Sequence, residues 1–168
     1  MSLTMYTATV PTCTRALNNL AAILEKAAAH AETRKIPPAT LLGTRLFPDM
    51  LPLAAQIQIA NDIAQGGAAR LAGAEVPVFE AKERTLAEWI GATRGTIAYL
   101  ESLKPAQFEG SEDRTVTWKT RTSTKSMQGT PYLFHHVLPN VFFHVTTAYD
   151  ILRQAGLEIG KPDYLGRA

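Results

Sequence analysis

The residues best able to do chemistry gather near the end of this 168-residue chain, between Tyr132 and Arg153. At about 100° per residue, His136, Asn140, His144 and Thr147 share a helical arc of roughly 80°. Phe143 and Ile151 flank that arc, so the stripe is expected to face inward. Polar groups placed there need partners, because a lone buried one is expensive.

A metal ion is one partner, since imidazole is the commonest protein ligand for divalent transition metals. Two histidines one turn apart chelate well, because i and i+4 side chains stack on one face. His136 and His144 are two turns apart, about 12 Å along the axis. Asn140 lies between them and is a poor ligand, while His135 and His136 are adjacent and splay apart. A hydrogen-bonded network is the other partner. It would join His136, Asn140 and His144 to Gln58, Asn61, Asp62 or Gln65 on an earlier helix. Both readings stay open at this stage.

Other reactive types stand in blander settings. His30 sits among alanines and charges, as a solvated residue does. Cys13 lies on an apolar face, as a small buried hydrophobe. Gly66-Gly67 has no preceding strand and so no phosphate-loop context. No Ser-His-Asp or Cys-His pairing can be assembled from spacing. Between Arg114 and Tyr149 the only charges are Arg114, Lys119, Arg121 and Lys125. Glu109, Glu112 and Asp113 just before them offset that positive run, which reads as a solvated hairpin face anchored by Trp118.

The elements that must position the stripe are helices. Val10, Cys13, Leu17, Leu20, Leu24, Ala27 and Ala31 recur at steps of three and four, which marks one helical face. Pro11 is expected in its first turn, and the helix should fade near Arg34. Pro37 to Pro48 reads as a connection with a short turn at Ala39 to Leu42. A second helix follows Asp49 through Met50, Leu53, Ile57, Ala60, Ala64, Ala68 and Leu71, and stops at Gly73. Its Gly66-Gly67 pair costs about 1 kcal/mol per glycine relative to Ala, which close approach of a neighbouring helix would offset. Val76 to Arg84 reads as a linker. Thr85-x-x-Glu88 is a capping-box signature for a third helix that Pro105 closes. Glu109 to Gly129 carries a partly alternating β-branched and aromatic run from Thr115 to Thr120, and predicts a small hairpin or extended loop. The last helix should run from about Thr130 to Gln154, kinked at Pro139 and stopped at Gly156, with an irregular tail from Leu157.

Four amphipathic helices bury their stripes most simply as one all-α, four-helix bundle spanning the chain. A hydrophobic fraction of 46% and a charged fraction of 19% suit a folded domain. A formal net charge of +2 gives no ground for nucleic acid or an anionic membrane as partner. One cysteine cannot staple the fold. Neither a leader nor a span of about 20 apolar residues is visible, which predicts a cytoplasmic protein.

Several motifs resemble the DinB/YfiT-like superfamily, in particular its uncharacterised bacterial and fungal branch known as a domain of unknown function. They are Met1-Ser2-Leu3 leading to Met5-Tyr6, Pro48-Asp49-Met50, Gln56-Ile57-Gln58-Ile59-Ala60 and Glu112-Asp113-Arg114. The fullest is Leu138-Pro139-Asn140-x-x-Phe143-His144-Val145-x-Thr147-Ala148-Tyr149-Asp150-Ile151-Leu152-Arg153, and Gly160-Lys161-x-Asp163-x-Leu165-Gly166 follows it. The resemblance implies a four-helix bundle, often dimeric, with a cleft between helices. Metal-binding members place one histidine on the second helix and a pair, one turn apart, on the last. Some act on thiol cofactors such as bacillithiol or mycothiol. Here His144 matches the second histidine of the pair, Asn140 stands at the first, and the second-helix position falls near Gln58.

Three functions are therefore expected in turn. The first is a divergent, metal-free homodimer binding a small molecule or a protein through His136, Asn140, His144, Gln58 and Asp62, with no cofactor and no assignable catalytic residue. The alternative is a zinc- or nickel-dependent hydrolase or thiol-transferase-like enzyme, its metal held by His144 with His136 and Asp62. A purely structural or dimerisation module is a third.

Overall fold

The computed structural model describes residues 3–78, 85–120 and 122–166. Met1, Ser2, residues 79–84 of the expected linker, Arg121 of the basic run, and Arg167 and Ala168 of the expected tail lie outside them.

Helix α1 (Met5–Arg34) buries the apolar stripe read from the sequence. It begins before Pro11, not at it. The Thr4 hydroxyl accepts from the Thr7 amide at 3.1 Å, and the Thr4 amide donates to Thr7 Oγ1 at 2.8 Å. This reciprocal cap starts the helix one and a half turns early. Pro11 then sits inside it but exposed, where water can serve the carbonyl that proline leaves without a donor.

The turn α2 (Pro38–Gly43) leads to α3 (Leu53–Ala72), which starts after Pro52 and ends at Gly73 with φ 66°. α4 (Leu86–Ser102) carries the expected box: Glu88 N–H to Thr85 Oγ1 at 3.2 Å and Thr85 N–H to Glu88 Oε2 at 2.7 Å. A 3₁₀ turn at Pro105–Phe108 follows. The hairpin is present as antiparallel β1 (Thr115–Lys119) and β2 (Thr124–Gln128), with Val116 opposite Met127 and Trp118 opposite Lys125.

The last long helix is built in three parts: α5 (Gly129–Tyr132), a π turn at Leu133–Val137, and α6 (Leu138–Gln154). The irregularity expected at Pro139 thus takes the form of a widened turn immediately before it, closed by Leu138 N–H to Leu133 C=O. Gly156, at φ 92°, ends α6, with Leu157 N–H reaching back to Leu152 C=O at 3.1 Å. The tail, expected to be irregular, is so from Leu157 to Gly160 but then turns helical. A short helix α7 (Lys161–Leu165) docks on α1 through Asn19 Nδ2 to Tyr164 C=O at 2.8 Å and Lys26 to Asp163 at 2.5 Å.

α3 packs on α6 and α4, and α1 on α4 and α6. The four long helices therefore ring a common core in the order α1, α4, α3, α6. Leu17, Leu20, Leu24, Ile57, Leu71, Leu100, Val141, Ile151 and Leu152 fill it. Gly67 is where α3 meets the π turn: a Cβ there would lie 2.7 Å from both methyls of Val137. This is the close approach that the glycine pair was expected to permit. Among the described residues, no helix is long and apolar enough to cross a membrane.

Candidate functional site

The polar stripe runs from the π turn, at His136, along the edge of α6's buried face. Thr147 is buried and His136, Asn140 and His144 are half-buried, whereas Phe143 is 57% exposed and Ile151 fully buried. Its members do not form one network. Thr147 Oγ1 donates to the Phe143 carbonyl of its own helix at 2.8 Å, and Asn140 Nδ2 to the His136 carbonyl at 2.6 Å. Only His144 crosses to α3.

Its partner there is Gln56. His144 Nδ1 lies 2.6 Å from Gln56 Oε1, and Gln56 Nε2 donates to the Leu51 carbonyl at 3.0 Å. A carbonyl only accepts, so the Leu51 contact fixes which end of the amide is nitrogen. The oxygen therefore faces His144 and only accepts as well, so the proton sits on Nδ1. Burial holds this imidazole below its ordinary value of 6.5, which favours the neutral ring. The outcome is a single tautomer whose Nε2 lone pair has no partner among the described residues.

The residue expected from the sequence at this contact is Gln58. Two residues along a helix is a turn of about 200°, so Gln56 and Gln58 cannot both face α6. Gln56 shares its face with Ala60 and Gly67, and that alignment is the signal that points to it. Gln58 is half-buried and Asp62 exposed. Asn61 faces α4 instead, its Nδ2 donating to Thr93 Oγ1 at 3.1 Å, and Gln65 is buried.

His136 belongs to a different neighbourhood. Its ring lies 4.6 Å from Trp118 and 5.3 Å from Tyr132, centroid to centroid. Trp118 thus anchors the hairpin to the bundle, as expected. Burial first, then the nearby charges of Lys125 and Arg70, keep His136 below 6.5. Arg70 also donates to the Tyr132 hydroxyl at 3.4 Å. Asn140 Nδ2 is 3.5 Å from His136 Nδ1, too long to fix a tautomer. Arg114, from the basic run, turns inward and donates to the Leu71 carbonyl.

Comparison with known proteins places this arrangement. A domain of unknown function, DUF1993, matches residues 5–165. The solved structure of a DinB family member protein from Shewanella denitrificans is 39% identical and superposes with a TM-score of 0.90, covering 97% of this chain and 92% of that one. The chain belongs to the DUF1993 branch of the DinB family. No curated protein matches it.

A DinB-type bundle raises the question of a metal, and the donor set answers it. The second-helix position facing His144 carries the amide of Gln56, and the residue one turn before His144 is Asn140, whose amide is turned back on its own helix. His136 and His144 have separate partners. Among the described residues, no group of three His, Cys, Asp or Glu side chains is close enough to hold an ion. The three-ligand set of His136, His144 and Asp62 is not assembled, and neutral amides are weak donors to zinc or nickel. The residues do not fit a resident metal. Cys13 is also no reactive group: it is buried on α1, and desolvation pushes its thiol up to about 12.

Proposed function

We propose that this DUF1993 chain is a metal-free DinB-like binding bundle in which His144 Nε2 accepts a hydrogen bond from a small molecule or a protein. The supporting observation is the chain of contacts from Leu51 C=O through the Gln56 amide to His144 Nδ1. It holds a neutral imidazole with its acceptor nitrogen uncommitted. The exposed ring of Phe143 lies edge-on to His144 at 5.2 Å, so the ligand carries an apolar body beside its O–H or N–H donor. The expectations of a homodimer and of a cytoplasmic setting accompany this reading and rest on the sequence and the resemblance.

Two measurements test it. Untagged protein is analysed for bound elements and titrated with zinc, nickel and manganese by calorimetry. The expected result is no stoichiometric uptake. Stoichiometric binding that disappears in His144→Ala contradicts the metal-free reading. Phenol, a small apolar O–H donor, then serves as probe by NMR. It should perturb the His144 ring signals in the wild type and leave the other imidazoles unmoved. No perturbation at His144 contradicts the acceptor role.

A further inference from the structure

A second cleft lies where the start of α1 meets the 3₁₀ turn after α4, and it shares no lining residue with the His144 site. Its volume is about 580 Å³, within the range of small-molecule sites. Tyr6, Phe108 and Phe134 line it, with Phe108 only 3% exposed behind the other two. Tyr6 and Phe108 meet edge to face, 5.5 Å apart at 77°, and Phe134 is 42% exposed on the π turn. Glu109 and Glu112, both exposed, complete the wall, and among the described residues no lysine, arginine or histidine lines it. Neither carboxylate is in an ion pair among the described residues.

From this we infer that the cleft binds an organic cation, an alkylammonium or quaternary ammonium group. Aromatic faces carry negative quadrupole charge and attract cations, while two unpaired carboxylates supply full negative charge beside them. The N-terminus of α1 opposes this with about half a positive charge, which two carboxylates outweigh. An anion faces those same carboxylates and is repelled. A neutral apolar molecule gains the rings but leaves the carboxylates unanswered.

Choline and its uncharged isostere 3,3-dimethylbutan-1-ol test the inference on the full chain, because they share shape and differ in charge. Titrations are followed by amide NMR. Choline is expected to shift signals of residues 5–8 and 105–112 saturably, and to bind about 3- to 30-fold tighter than the alcohol, the span of cation–π strengths. Phe134→Leu keeps an apolar side chain at an exposed position and should weaken choline while sparing the alcohol. Glu109→Gln with Glu112→Gln should narrow the gap between the two ligands. Equal binding of choline and the alcohol overturns the inference by showing an apolar cleft without charge preference. Choline shifts that are absent from these residues, or unchanged in Phe134→Leu, overturn it too.

Discussion

Gly67→Ala isolates the contact that seats the π turn, and with it His136, against α3. In an exposed helix interior, replacing glycine by alanine gains about 1 kcal/mol of helix propensity. At Gly95, on α4, an added methyl would meet nothing within 4 Å, so Gly95→Ala should show that gain alone. At Gly67 the new methyl lies 2.7 Å from Val137 Cγ1 and Cγ2, whereas carbon atoms rest about 3.5 to 4.0 Å apart. The two helices must part by about 1 Å, and overpacking of this kind costs about 1 to 3 kcal/mol. Gly67→Ala should thus be less stable than Gly95→Ala by about 1 to 3 kcal/mol. Val137→Ala should relieve the clash, so the two changes at this contact couple by about 1 kcal/mol or more in a double-mutant cycle. Urea unfolding followed by far-ultraviolet circular dichroism measures each step. Equal stability of Gly67→Ala and Gly95→Ala, or no coupling with Val137→Ala, refutes the clash.

Three further outcomes follow from single residues. His144 and His136 both titrate below 6.5 in the fold, so the unfolded chain binds more protons below that value. Stability should therefore fall as pH drops through 6.5 toward the folded values, then level off, and His144→Gln should lessen the fall in pH-dependent urea midpoints. Lys35 ends α1 in the left-handed region at φ 55°, so Lys35→Gly should stabilise by about 1 kcal/mol in the same assay; a loss of stability contradicts the strain. The Cys13 thiol, buried and raised to about 12, should react with Ellman's reagent only after unfolding. Rapid reaction in the native state refutes that burial.

Much of the fold was legible because the signals were local. The Thr85 and Glu88 side chains, the Gly73 and Gly156 stops and the β-branched run at Thr115 each dictate their own neighbourhood. The start of α1 was hidden because Thr4 and Thr7 cap it with two hydroxyls, not the usual hydroxyl and carboxamide or carboxylate. α7 was hidden because its five residues are held by tertiary bonds to Asn19 and Lys26, which lie about 140 positions away. The candidate site was legible on one side only. Helical spacing marks the His136 to Thr147 stripe, but the choice of Gln56 over Gln58 depends on how α3 is rotated about its axis. Gln56 lies on the face of Ala60 and Gly67, about 200° from Gln58, so that small-residue face is the signal that decides it. Likewise, spacing could not show that Asn140 and Thr147 satisfy themselves on their own helix and leave His144 as the one crossing contact.

The most direct measurement is the protonation state of the His144 ring by nitrogen-15 long-range correlation NMR near pH 7. The Leu51–Gln56–His144 chain predicts a proton on Nδ1 and a lone pair on Nε2, with the preference for Nδ1 lost in Gln56→Leu. A proton on Nε2, or a doubly protonated ring at that pH, contradicts the account.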